Sequence, residues 1–285
     1  MASDSRFAVL IDADNVSVKY IKIILDEISK DGIATYKRIY GDWTNPSLIS
    51  WKSTLLDNSI IPIQQYSYTT GKNSTDSAMI IDAMDILYSG RVEGFCLVSS
   101  DSDFTRLAAR LRESGMTVIG MGESKTPNSF IAACNKFKYL DILSAADEEE
   151  PEEAAAPKAE PVKKAAQPKK AAPKAAKKLK EEPKAEKEKP AETKKQQEKA
   201  IEEPRTSLRT IRRSLRTIVR ENSDEDNWIM VSQVGNLLDK RYPDFDVRNF
   251  GFSKLTPFLE SLDLFEIKDL KKDGNSYAQK YVRLK

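Results

Sequence analysis

The sequence predicts an α/β fold for its first half, a parallel sheet sandwiched between helices, and a small α+β domain at the other end. Three observations carry this. Apolar runs of strand length alternate with amphipathic helical stretches through the first 147 residues. Two of those runs, FAVLID and FCLVSS, end against aspartates. A segment built from Ala, Lys, Glu and Pro, residues 148–204, then separates this half from a second globular stretch, 205–285.

In order along residues 1–147, FAVLID reads as a strand and VKYIKIILDEISKDG as an amphipathic helix closed by Gly32. ATYKRIY alternates as a strand, and PSLISWKSTLLDN has helical spacing. IIPIQQY is the next strand, followed by the helix DSAMIIDAMDILYSG. FCLVSS is a buried strand, DFTRLAARLRESG a helix, and MTVIGMG the last strand before SFIAACNKF. Strands separated by helices pair in parallel through right-handed crossovers, giving a three-layer, Rossmann-like sandwich. With the strand order 3-2-1-4-5, a ligand binds beyond the carboxyl ends of the first and fourth strands, where the order reverses.

Acids stand at that place. Asp12 closes the first strand, Asp101 and Asp103 follow the fourth, and Asp76 opens the helix DSAMIIDAMDIL. Any one of them could simply cap a helix. Four carboxylates converging without a cation beside them in sequence repel one another and raise each other's pKa, unless an ion joins them. Oxygen donors alone suit Mg²⁺ or Mn²⁺, and such clusters support hydrolysis at phosphorus. Asp82 lies about 240° further round the helix than Asp76 and is read as a supporting residue in apolar surroundings.

Composition narrows the alternatives. The chain has no histidine and two cysteines, Cys96 and Cys134, which removes imidazole chemistry and the usual four-ligand His/Cys zinc site. Two cysteines make no disulfide framework. The formal net charge of +2 says nothing about partners. No basic-then-apolar leader opens the sequence, and no stretch approaches the ~20 apolar residues of a membrane-spanning helix. The expectation is a cytoplasmic protein without a membrane partner.

IDADNV, GKNSTDSAMIIDAMDIL and LVSSDSDFTRLAARLRESG together resemble the NYN domain family of PIN-like nucleases, metal-dependent ribonucleases on a Rossmann-like sheet. The resemblance covers nearly all of residues 1–147. It implies Asp12, Asp76, Asp101 and Asp103 as the catalytic and metal-binding acids, with Asn15 and Lys72 nearby for substrate or water. Asp82 also matches a recurrent family position, and Asp14 stands outside the core set. DADNV fits a second motif, the DxD opening of the haloacid-dehalogenase phosphatases, with Asp12 as nucleophile and Asp14 as acid/base. That fold adds a flap after its first strand, whereas VSVKYIKIILDEISKDG runs straight into a helix.

Residues 148–204 hold too few branched apolar side chains to offset the entropy of ordering, and read as a disordered linker. Lys163 to Lys180 contains no acid, but a solvated spacer is the simpler reading.

The stretch 205–285 opens with RTSLRTIRRSLRTIVREN, a helix with an apolar stripe of Leu208, Ile211, Leu215 and Ile218 or Val219. Arg209, Arg212, Arg213 and Arg216 occupy much of the rest, with no acid before Glu221, a pattern that favours phosphate. WIMVSQVGNLLDKRYP and FSKLTPFLESLDLFEI are two more helical patterns, and IKDLKKDGNSYAQKYVRL reads as a hairpin turned at Asp273-Gly274. Three helices and a hairpin make a winged-helix-like domain. YPDFD, NFGFSKL and the trailing FEI resemble the OST-HTH, or LOTUS, domain, which implies an RNA-binding or protein-binding module. Phe250, Phe252 and Phe258 could stack on bases, with core packing the plainer role. Arg248, Lys254, Lys271 and Lys272 are the remaining candidates for RNA contact.

The combined expectation is a metal-dependent ribonuclease head whose tail recruits RNA, the flexible linker raising the effective concentration of substrate. The alternative is a non-catalytic RNA-binding adaptor.

Overall fold

The computed structural model describes residues 5–66, 74–149, 206–270 and 279–285. Strand β1 (Arg6–Asp12) is buried at every residue after Arg6. A run so uniformly apolar belongs at the centre of a parallel sheet covered on both faces. It pairs in parallel with β2 (Ile33–Gly41) on one side and β4 (Gly94–Val98) on the other. With β3 (Ile61–Gln64), β5 (Thr117–Gly122) and β6 (Lys136–Tyr139), the six-stranded sheet has the order β3-β2-β1-β4-β5-β6.

The order 3-2-1-4-5 therefore holds, and a sixth strand extends it where the sequence reading had stopped at MTVIGMG. KFKY alternates, burying Phe137 and Tyr139, but four residues are too few for the pattern to stand out. Each face of the sheet has its own core. Phe7, Val9 and Ile11 of β1 pack with α1 (Ile21–Asp31), α2 (Trp51–Asp57) and α6 (Leu140–Glu149). Ala8 and Leu10, on the opposite pleat, pack with α3 (Ser74–Ser89), α4 (Thr105–Glu113) and α5 (Asn128–Ala133). The stretch PSLISWKSTLLDN is broken into a short 3₁₀ turn, Pro46–Leu48, and α2. The Asn45 side chain caps that turn by accepting from the Ser47 N–H at 3.0 Å.

The second domain contains α7 (Leu208–Asn222), α8 (Val231–Arg241) and α9 (Leu255–Ser261), with an antiparallel sheet of order β7-β9-β8. Its strands are β7 (Ile229–Met230), β8 (Phe265–Leu270) and β9 (Gln279–Leu284). Phe258 is fully buried, and the rings of Phe245, Phe250 and Phe252 surround it with centroids 6.0, 5.3 and 5.6 Å away. Phe258 belongs to the core, and Phe250 and Phe252, half-buried, pack against it. The expected hairpin turn at Asp273-Gly274 and the linker 148–204, apart from its first two residues, lie outside the described residues.

The two domains are joined more closely than a tether implies. They form one compact unit, with the loop after α8 seated on β6 and α1.

One glycine positions the functional end of the sheet. A Cβ on Gly122 would lie 2.7 Å from the carbonyl oxygen of Ser99 and 2.7 Å from Thr126 Oγ1, neither with room to move. We expect Gly122→Val to cost about 1–3 kcal/mol of stability, read as a lower urea midpoint, by pushing apart the ends of β4 and β5. An unchanged midpoint would show that these ends are not tightly coupled.

Candidate functional site at the carboxyl ends of β1 and β4

Asp12 ends β1 and is wholly inaccessible to solvent. Its Oδ2 accepts from Asn15 Nδ2 at 2.8 Å and from Ser99 Oγ at 2.8 Å, while Oδ1 accepts the Asp14 N–H at 3.0 Å. The last is an Asx turn, which bends the chain out of the sheet. Burial, foremost, raises the Asp12 pKa, and the donors from Asn15 and Ser99 oppose the shift.

Ser99 also accepts the Asp101 N–H at 3.0 Å, so one hydroxyl links the ends of the two central strands. Asp101 in turn accepts the Asp103 N–H at 2.9 Å, capping the 3₁₀ turn Ser102–Phe104 that leads into α4. On the other side of the crevice, Thr75 Oγ1 donates to Asp14 Oδ2 at 2.8 Å and so holds the start of α3 against the β1 turn. Asp76, in the first turn of that helix, is 7% exposed.

Asp76, Asp101 and Asp103 each offer a carboxylate oxygen, and the three atoms lie within 4.8 Å of one another. The Asp76 carboxyl is pushed up to about 6, first by burial and then by the negative charges of Asp12, Asp101, Asp103 and Asp14. Three converging oxygens in a site of concentrated negative potential fit a hard divalent cation such as Mg²⁺ or Mn²⁺.

The expected set is thus partly rearranged. Asp76, Asp101 and Asp103 come together. Asp12 is buried beside them with its oxygens held by three donors, and its charge is the foremost of those that raise the Asp76 pKa. Asn15 orients Asp12, and Lys72 lies outside the described residues. Asp82 is away from the group, where it accepts hydrogen bonds from Arg38 Nη1 and the Tyr40 hydroxyl on β2. Its partners make it a bridge between α3 and the sheet. The phosphatase alternative loses its basis, because a carboxylate without solvent access makes a poor nucleophile. The chain also enters α1 directly through the 3₁₀ turn Val18–Tyr20.

Sequence reasoning missed Ser99 and Thr75. Both are small hydroxyl residues at an element boundary, Thr75 directly before Asp76 and Ser99 two positions before Asp101, and that closeness was the available signal. Neither cysteine takes part. Cys96 and Cys134 are free and buried, and burial pushes each thiol up to about 12.

A second feature lies on α7. Arg209, Arg212, Arg213, Arg216 and Arg220 are exposed. Among the described residues, the guanidinium groups of Arg209, Arg213, Arg216 and Arg220 make no hydrogen bond or ion pair, while Arg212 donates to the Leu262 carbonyl at 3.2 Å. Arg241 and Tyr242, which the sequence reading had not singled out, line a groove with Arg209 and Arg213. Lys254 is exposed before α9. Arg248 departs from expectation: its guanidinium is engaged by Glu27 and Asp246 and is not available to RNA. Lys271 and Lys272 lie outside the described residues.

Residues 6–141 match the model of the NYN domain, and residues 206–277 match that of the OST-HTH/LOTUS domain. A crystal structure of a protein of unknown function from Vibrio parahaemolyticus is similar at 18% identity and a TM-score of 0.43, over 50% of this chain and 96% of that one. No curated protein matches the chain. Among the described residues, no helix is long and apolar enough to cross a membrane.

Two outcomes follow. Ser99→Ala leaves a buried carboxylate one donor short and should cost about 1–3 kcal/mol in chemical denaturation. Wild-type stability in the variant would mean that Asp12 does not depend on this bond. The second concerns pH. Asp76 holds its proton more tightly when folded than unfolded, so its contribution to the stability of the metal-free protein declines as pH rises toward and through 6. A bound cation must displace that proton, so Mn²⁺ affinity by calorimetry should be weaker at pH 5 than at pH 7.5, by about tenfold from this group alone. An affinity flat across that interval would remove Asp76 from the ligand set.

Proposed function

We propose that this chain, which carries an NYN domain and an OST-HTH/LOTUS domain, is a metal-dependent ribonuclease that hydrolyses RNA phosphodiester bonds. The NYN domain belongs to the PIN-like nuclease superfamily, and the OST-HTH/LOTUS domain is associated with RNA binding. One observation carries the reading: three carboxylates from two different elements, α3 and the turn after β4, converge within 4.8 Å at the switch point of a parallel sheet.

Asp76, Asp101 and Asp103 would hold Mg²⁺ or Mn²⁺, an ion that activates water and stabilises the charge developing at phosphorus when bound. The chain's own residues do the rest. Ser99 and Asn15 hold the Asp12 carboxyl in place beside the three acids and oppose the rise that burial imposes on its pKa. Thr75 holds α3 at the distance that brings Asp76 to the group. The negative crevice repels bare phosphate, so capture of the substrate falls to a surface of opposite sign. The exposed arginines of α7, with Arg241, Tyr242 and Lys254, supply one, through contacts to phosphates that position a strand without reading its sequence.

The test is cleavage of labelled single-stranded and structured RNAs by the wild type and Asp101→Asn, with Mn²⁺, Mg²⁺ or EDTA. Cleavage should require the metal and fall at least about 100-fold in the variant, since losing a ligand costs more than losing an outer partner. RNA bound but left intact under every metal condition would favour a binding adaptor. In parallel, Arg209→Ala with Arg213→Ala should weaken RNA binding and reduce the slope of log affinity against log salt by about 2. An unchanged slope would move the RNA surface elsewhere.

A further inference from the structure

The loop between α8 and α9, whose YPDFD sequence carries part of the OST-HTH/LOTUS resemblance, is the element that seats the second domain on the first. Its backbone meets the sheet edge at one point: the Phe137 N–H of edge strand β6 donates to the Pro243 carbonyl at 2.7 Å. Asp244, 4% exposed, accepts from the Tyr139 hydroxyl of β6 at 3.1 Å and from both the Thr206 N–H at 3.2 Å and the Thr206 hydroxyl at 2.5 Å. Arg248 lies flat against Glu27 of α1, with Nη1 to Oε1 at 2.6 Å and Nη2 to Oε2 at 2.9 Å. Asp246 holds the other edge of the same guanidinium, with Nη2 to Oδ2 at 2.6 Å. The Glu27 side chain is 4% exposed and also receives Lys30 at 2.5 Å and Lys138 at 3.0 Å.

A two-pronged arginine–carboxylate pair fixes direction as well as distance, and the backbone bond from Phe137 adds a second point of attachment on the strand edge. These contacts spread over a strand edge and a helix, so a swivel of the second domain on the first would have to break several of them at once. We infer that the second domain is a built-in part of the nuclease, so that the spacing between the arginine surface of α7 and the acids is set by this interface and not by the linker. The inference rests on the ribonuclease reading for its consequence: the substrate is an RNA that reaches both surfaces at once and is cut at a fixed interval from the part the tail grips. A tether would behave differently, since effective concentration then falls as the linker lengthens.

Two measurements on the full chain decide this. In the first, a protease site is placed within residues 151–201, the linker is cut, and the products are run on size exclusion at micromolar concentration. The wild type should elute as one species, and Arg248→Leu combined with Asp244→Asn should elute as two. Separation of the cut wild type would overturn the inference. In the second, an end-labelled RNA with one tail-binding element is digested by chains whose linker is halved or doubled. Cut positions should stay the same in both and scatter in the Arg248→Leu/Asp244→Asn variant, whose unchanged RNA affinity would show that its second domain is folded. Positions that move with linker length would overturn the inference as well. If the wild type cuts no RNA at all, the ribonuclease reading fails by itself, and the size-exclusion result still decides whether the domains are fixed together.

Discussion

A carboxylate sealed from water at the end of the central strand is the constraint on which the head is arranged. Asp12 cannot be hydrated, so protein donors must take water's place. Each donor that does so fixes a piece of backbone: Asp14 turns the chain out of β1, Asn15 holds the turn, and Ser99 ties β1 to β4. The same Ser99 then accepts from the Asp101 backbone, so satisfying one buried charge also sets the position of another. Gly122 completes the arrangement by letting β5 approach the Ser99 carbonyl. The acids of the crevice are held in mutual repulsion by a network that costs them little freedom, because it is built from the ends of strands that cannot move.

Much of this was legible in the sequence, and for identifiable reasons. Strong apolar runs ended by acids, such as FAVLID and FCLVSS, report both a strand and its polarity, which is why the strand order followed directly and Asp101 and Asp103 were legible at the end of β4. KFKY was missed because an edge strand of four residues carries one and a half periods of alternation. IM at the head of α8 and FEI after α9 sat inside apparent helical patterns, since local periodicity cannot register a partner strand far along the chain. The donors that hold Asp12 were invisible for a different reason: Ser99 reaches it from a strand end 87 positions along the chain.

Arg248 shows the same limit in the second domain. A basic residue beside aromatics in an RNA-associated module suggests phosphate contact, and nothing nearby in sequence announces a partner 221 positions away. The arginines of α7 were readable because their character is local: an unbalanced run on one helix has no acids within reach of its own turns. Readability thus tracks the range of the interaction. Helix faces, strand ends and caps are written in neighbouring residues, while ion pairs between domains are not.

The bond from Phe137 to Pro243 has one more implication. Outer strands of open sheets expose unpaired backbone, which natural proteins guard against self-association. At the β3 edge, Pro62 removes a donor. At the β6 edge the guard is the second domain itself. Severed from its neighbour, the first domain would expose the Phe137 N–H of that edge and leave Glu27 to Lys30 and Lys138 alone. The two family matches stop at residue 141 and resume at 206, while the compact unit runs across that boundary.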